Sequence, residues 1–185
     1  MLFKRLSEYF SQLEATTLRN KMTEILASLF KEADSDEIGK LCYLLQGRVA
    51  PLFEAVELGI EDGKVLRVFK EEGDLGKTAE KIKLEIKEKR WNDRKVSIID
   101  VYNILYQVAI AGGEGSQDKK ITLLGDLLSD VDPLSARFIA KITLAKLRLG
   151  FSDMTILDSL SWMLTDSKSL RGQIEKAYNV RPDLG

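Results

Sequence analysis

Histidine is missing from this 185-residue chain, and no other feature of the composition excludes as much chemistry. Histidine is the commonest general base and the commonest zinc-binding side chain, so Ser–His pairs, Cys–His pairs and histidine–metal sites are ruled out together. Cysteine occurs once, at Cys42, so an internal disulfide is impossible. Its leucine neighbours predict a packed thiol, and the expected compartment is the cytoplasm. No stretch approaches the roughly 20 apolar residues that span a membrane. Met1-Leu2-Phe3-Lys4-Arg5 runs straight into Leu6-Ser7-Glu8, which is too polar for a signal-peptide core. An excess of either charge is also lacking: 31% of residues are charged, yet the net charge is -1. A strongly basic binder is therefore excluded, and any nucleic-acid surface has to be a local patch. The acidic pairs Asp34/Asp36 and Glu71/Glu72 sit in polar stretches and read as helix starts or solvated turns. Catalysis by this chain alone is not expected.

What is present is helical periodicity, on 44% hydrophobic content that suffices for one large domain or two small ones. Leu2, Leu6, Phe10 and Leu13 form one stripe, and Leu18, Met22, Ile25 and Leu29 a second, with Thr16 or Thr17 as its cap. Ile38, Leu41, Cys42 and Leu45 form a third, capped by Ser35 or Asp36 and ended by Gly47. A short element over 63–70 and a helix marked by Leu75, Ala79, Ile82 and Ile86 follow. The outer face of that helix interleaves Lys77, Lys81, Lys83, Lys87 and Lys89 with Glu80, Glu85 and Glu88, the pattern of a solvated surface. After a polar linker over 90–95, Ser97 and Asp100 make a capping box for a helix through Val101, Leu105 and Val108. Ile121, Leu124, Leu127 and Leu128 mark the next. Asp132-Pro133 starts a helix expected to bury Phe138, Ile142, Ala145 and Leu149 before Gly150 stops it. Ser152 caps another, with Ile156, Leu157, Leu160 and Leu164, and Leu170, Ile174 and Tyr178 mark the last. The expected fold is all-α, with about ten helices. Similar short words recur in the two halves, Glu57-Leu58-Gly59 and Asp74-Leu75-Gly76 against Arg148-Leu149-Gly150 and Asp183-Leu184-Gly185. One domain over 1–185, with similar subdomains over roughly 1–95 and 96–185 about a pseudo-twofold, is therefore expected.

The densest chemistry lies at Gly113-Glu114-Gly115-Ser116-Gln117-Asp118-Lys119-Lys120. Glycines let a backbone approach a ligand closely, and a helix that opens behind them leaves first-turn N–H groups without intrahelical partners. With two lysines alongside, this reads as a phosphate- or nucleic-acid-facing turn. An ordinary glycine-rich link between helices remains the alternative.

Four words, in order, resemble the N-terminal DNA-binding domain of ATP-dependent DNA ligases, most closely the archaeal type. They are Leu13-Glu14-Ala15-Thr16-Thr17-Leu18, Gly73-Asp74-Leu75-Gly76, the Gly113–Lys120 turn, and Ala136-Arg137-Phe138-Ile139-Ala140 running into Leu147-Arg148-Leu149-Gly150. The resemblance implies an all-α domain that wraps duplex DNA on both sides of a nick, chiefly through phosphates and the minor groove. Indifference to sequence would make backbone contacts dominate over base readout. It further implies that Gly113, Gly115 and Ser116 present donors to phosphate beside Lys119 or Lys120. Lys146, Arg148 and Gly150 would form a second contact, Thr16, Thr17 and Lys21 a third, and Gly47 and Arg48 a fourth. Arg148 could instead cover a helix end, and the threonines could only cap.

The family's adenylated word, Lys-x-Asp-Gly, does not occur in these residues. ATP and magnesium would then belong to a nucleotidyltransferase domain elsewhere in a parent ligase, with an OB-fold domain beside it, and no cofactor is expected here. The chain is expected to be a piece of that longer ligase, to be inactive alone, and to bind double-stranded, nicked DNA as a monomer. Roles in replication, repair and recombination follow from the same resemblance. The rival reading is a helical protein-interaction scaffold with no nucleic-acid ligand, which the balanced charge would suit. It requires an exposed apolar groove where the ligase reading requires exposed cations.

Overall fold

Ser97 and Asp100 cap each other's backbone as their spacing dictates: Ser97 Oγ accepts from Asp100 N–H (3.1 Å) and Asp100 Oδ2 from Ser97 N–H (3.0 Å). The helix they open is one of eight among the described residues, which in this computed structural model are 1–54, 56, 58 and 95–185. In chain order these are α1 (Phe3–Glu14), α2 (Arg19–Glu32), α3 (Ser35–Leu45), α4 (Ile98–Ile110), α5 (Ser116–Asp130), α6 (Pro133–Thr143), α7 (Asp153–Thr165) and α8 (Arg171–Val180). No strand interrupts them among the described residues, so the all-α expectation holds. The expected elements over 63–70 and 75–89, most of the 90–95 linker, and Gly73-Asp74-Leu75-Gly76 lie outside the described residues.

Packing joins distant parts of the chain. Helix α2 lies along α7, α1 contacts α2, α4 and α6, and α3 packs on α4. Phe3, Phe10, Phe30, Leu105, Phe138 and Ile156 share one buried cluster. Phe10 meets Phe138 edge-on, with ring centroids 5.1 Å apart. Cys42 is buried here, and burial holds its thiol up at about 12. The segment before α4 is tied to the start of the chain: Phe3 N–H donates to the Val96 carbonyl and Ile98 N–H to that of Met1.

Four local readings are corrected. Leu2 is exposed, and Phe3 takes its place on the buried face of α1. Leu18 is exposed as the N-cap of α2, and no side chain caps that helix. Thr16 Oγ1 instead accepts from Leu18 N–H (3.2 Å), closing the bend between α1 and α2. Helix α3 is capped one residue early, by Asp34 in a box with Glu37, because that spacing lets each side chain reach the other's backbone. The largest difference is at α6, which ends at Thr143 rather than running to Gly150. Ala145 adopts a left-handed φ of 52°, and Lys146 N–H bonds back to the Lys141 carbonyl (2.8 Å). This is a Schellman stop, in which alanine occupies the position glycine usually takes. Leu149 is buried as expected, but from a loop that turns inward and not from a helix face.

Candidate nucleic-acid interface

Two glycine-containing features carry the predicted site residues. The first is the turn into α5. Gly113 (φ 86°) and Gly115 (φ 76°) hold left-handed backbone, with open space where a side chain would stand. Gly115 is the N-cap and offers no side chain to the helix. Ser116 N–H bonds to the Gly113 carbonyl (3.2 Å) and Lys119 N–H to that of Gly115 (3.2 Å). The turn lines an open cleft of about 370 Å³ with Gln107, Glu114, Ser116 and Lys119. Lys119 is exposed on its wall, whereas Lys120 is buried at 7% exposure and engaged within the protein. The two lysines of the pair therefore sit in different surroundings.

The second feature is where α3 and α6 end. Helix α3 closes like α6, with Arg48 N–H bonding to the Tyr43 carbonyl (3.0 Å) and Gly47 N–H to that of Leu44 (3.0 Å) around a glycine at φ 69°. The two stops meet: a Cβ on Gly47 would lie 3.4 Å from Leu147 Cβ. Between them opens a cleft of about 350 Å³ lined by Gln46, Arg48, Leu147, Arg148, Gly150 and Asp153. Gly150 rests on α2, where a Cβ would stand 3.2 Å from Met22 Cε. The neighbouring Lys21 is exposed and pairs with Glu24 (3.1 Å). Thr16 and Thr17 lie on the bend before α2. Thr16 is engaged with Leu18, and Thr17 is exposed.

Ion pairing separates the cations into two sets. Arg5 pairs with Glu8 and Glu32, Lys31 with Asp166, Arg137 and Lys141 with Glu14, and Lys168 and Arg171 with Asp158. Arg5 holds the Glu32 carboxyl down at about 2, with help from the Tyr9 hydroxyl. Arg48, Lys119, Lys146 and Arg148 have no ion-pair partner among the described residues, a property they share with Lys4, Arg19, Lys40, Lys95, Lys176 and Arg181. What sets Arg48, Lys119 and Arg148 apart is that they line clefts beside glycine-containing turns. In a chain of net charge -1, cations left without carboxylates are where an anionic partner gains most.

Two features escaped sequence reasoning. The Gln46 Nε2 donor is buried without a hydrogen-bond partner among the described residues, beside the Arg48–Arg148 cleft, and a lone glutamine at a helix end carries no signal of this. Asp153 lines the same cleft and accepts from Tyr178 Oη (2.8 Å), a contact that, after burial, pushes that phenol's pKa up. The apolar groove required by the rival reading has a counterpart in a cleft of about 420 Å³, where the exposed Leu52 and Phe53 face Tyr43, Pro51 and Leu184.

Residues 2–161 match the family described as DNA ligase N terminus. The chain belongs to that family. It is 40% identical, over its whole length, to a probable DNA ligase of Dictyoglomus turgidum, of which it covers 33%. A DNA ligase 2 of Thermofilum pendens is 37% identical over 97% of the chain and 34% of the relative. A DNA ligase of Staphylothermus marinus is 36% identical over the whole chain and 36% of the relative. The chain thus spans about a third of the length of these ligases. Two of the words that carried the resemblance meet in the fold, since Glu14 of the first pairs with Arg137 of the last (2.6 Å).

Proposed function

We propose that this chain is the duplex-DNA-binding module of an ATP-dependent DNA ligase, gripping the sugar–phosphate backbone and minor groove around a nick without reading sequence. The observation that carries the proposal is the position of Arg48, Lys119, Lys146 and Arg148, which have no ion-pair partner among the described residues, at the turns that bear Gly47, Gly115 and Gly150 in a DNA ligase N-terminal family member. Open left-handed turns let phosphates approach backbone N–H groups closely, and short loops suit a widened minor groove better than an inserted helix does. Gly113, Gly115, Ser116 and Lys119 form one contact in this reading, and Gly47, Arg48, Lys146, Arg148 and Gly150 the other. Thr16, Thr17 and Lys21 extend the second along the start of α2, and Lys120 supports the first from within. Adenylation and joining, with their ATP and magnesium, fall to other parts of the parent ligase, and the chain acts as a monomer.

Fluorescence anisotropy of the chain with nicked duplex, intact duplex and single-stranded DNA, at low and moderate salt, tests this. The expected result is salt-sensitive duplex binding that changes little with sequence and is strongest at a nick. Absence of duplex binding at low salt would overturn the reading and move the weight to a protein-interaction module using the Leu52–Phe53 cleft.

A further inference from the structure

We infer that Glu14 is a positioning residue for DNA binding, clamping α1 to α6 so that the bend at Thr16–Lys21 and the loop at Lys146–Gly150 keep a fixed relation. The inference rests on the DNA-binding reading above. Glu14 is the last residue of α1. Its Oε2 accepts from Arg137 Nη2 at 2.6 Å and its Oε1 from Lys141 Nζ at 2.9 Å. The three side chains are only 19%, 18% and 13% exposed, so the charges are poorly screened by water. Arg137 and Lys141 stand one turn apart on α6, and a single carboxylate therefore grips a whole turn. Beneath it, Phe138 packs edge-on against Phe10 of α1.

Both ends that emerge from this clamp lead into predicted contact segments. Two residues beyond Glu14 is Thr16, and two beyond Lys141 is the end of α6, followed by Ala145, Lys146 and Arg148. The segments meet again where Gly150 rests on Met22. Glu14 thus closes a ring formed by α1, the bend, α2, the Gly150 loop and α6.

The charge of Glu14 makes the idea sharply testable. Removing a carboxylate makes the protein more positive, so electrostatics alone requires tighter DNA binding. Positioning requires the opposite. Anisotropy with intact duplex at low salt should be run on the wild-type chain, Glu14→Gln, Glu14→Ala, Arg148→Ala and the Glu14→Ala/Arg148→Ala double variant. Circular dichroism and thermal melting would establish that each is folded at the assay temperature. Glu14→Gln keeps the shape of the side chain and carries the test if the alanine variant does not fold.

Both Glu14 variants are expected to bind about five- to tenfold more weakly, and the double variant to lose less than the product of the single losses, because Arg148 is already misplaced. Unchanged or tighter binding by the folded Glu14 variants would overturn the inference, as would losses that simply multiply. If the wild-type chain binds and only Arg148→Ala weakens it, the DNA-binding reading stands without the clamp. If the wild-type chain shows no salt-sensitive duplex binding, the underlying reading itself fails.

Discussion

Ala145 holds a left-handed backbone at the end of α6, where Gly47 holds the same conformation at the end of α3. The alanine methyl crowds the neighbouring carbonyl in that region, at a cost of about 1–2 kcal/mol. Glycine would relieve this but loses more freedom on folding, by about 0.4–1 kcal/mol. Ala145→Gly is therefore expected to stabilise the protein by roughly 0.5–1 kcal/mol, seen as a higher denaturant midpoint with an unchanged slope. A lower midpoint would mean that the stop at Thr143 depends on the alanine side chain. At this scale the sequence was partly misleading. Phe138, Ile142, Ala145 and Leu149 continue a helical spacing, and nothing local separates an inward-turning loop leucine from one on a helix face. The Ser97–Asp100 box was legible because both partners lie within one turn. The Asp34 cap was missed by one residue, since three neighbouring polar side chains could all have served.

Element by element, the α5 N-terminus shows how far a motif can be read. Glycines followed by a polar step and an apolar stripe specified a helix start, and the start lies at Ser116. The lysine pair looked uniform in sequence, but successive residues on a helix face different directions by about 100°. Lys119 reaches the open cleft, and Lys120 is buried. Lys119→Ala is therefore expected to weaken duplex binding similarly for all sequences and to reduce the slope of log K against log salt by about one, with little change in melting temperature. Lys120→Ala should act mainly on stability, lowering the melting temperature. Anisotropy salt titrations and thermal melts of the two single variants distinguish these outcomes, and the reverse pattern would refute the assignment.

At the scale of the whole molecule, the described early helices α1–α3 share a core with later ones. Helix α1 packs on α4 and α6, α2 on α7, and α3 on α4, so each early helix buries its apolar face against a later one. Near the last of these contacts the rings of Tyr43, Tyr102 and Tyr106 stack in sequence at 6.3 Å spacing, and the Tyr102 hydroxyl donates to the Val49 carbonyl (2.6 Å). Neither set can retain its burial without the other. Unfolding is accordingly expected in one transition, with the near-ultraviolet circular dichroism of the tyrosines and the far-ultraviolet helical signal melting together. An earlier loss of either signal would show that the halves are separately stable.

Periodicity and capping were enough to specify the described helices, several of their starts and most of their apolar faces, because these features depend on neighbours within about four residues. Leu2, Leu18 and Leu164 of the expected stripes are nevertheless exposed. The absence of histidine and the near-zero charge likewise restricted the chemistry before any fold was known. Which cations would be neutralised could not be read this way. Glu14 lies more than 120 residues from Arg137 and Lys141, and Asp166 lies 135 from Lys31. Only packing brings such partners within a few ångströms, and only packing leaves Arg48 and Arg148 facing one cleft with no carboxylate paired to them among the described residues. Coulomb attraction depends on distance in space, and the chain's order does not encode that distance.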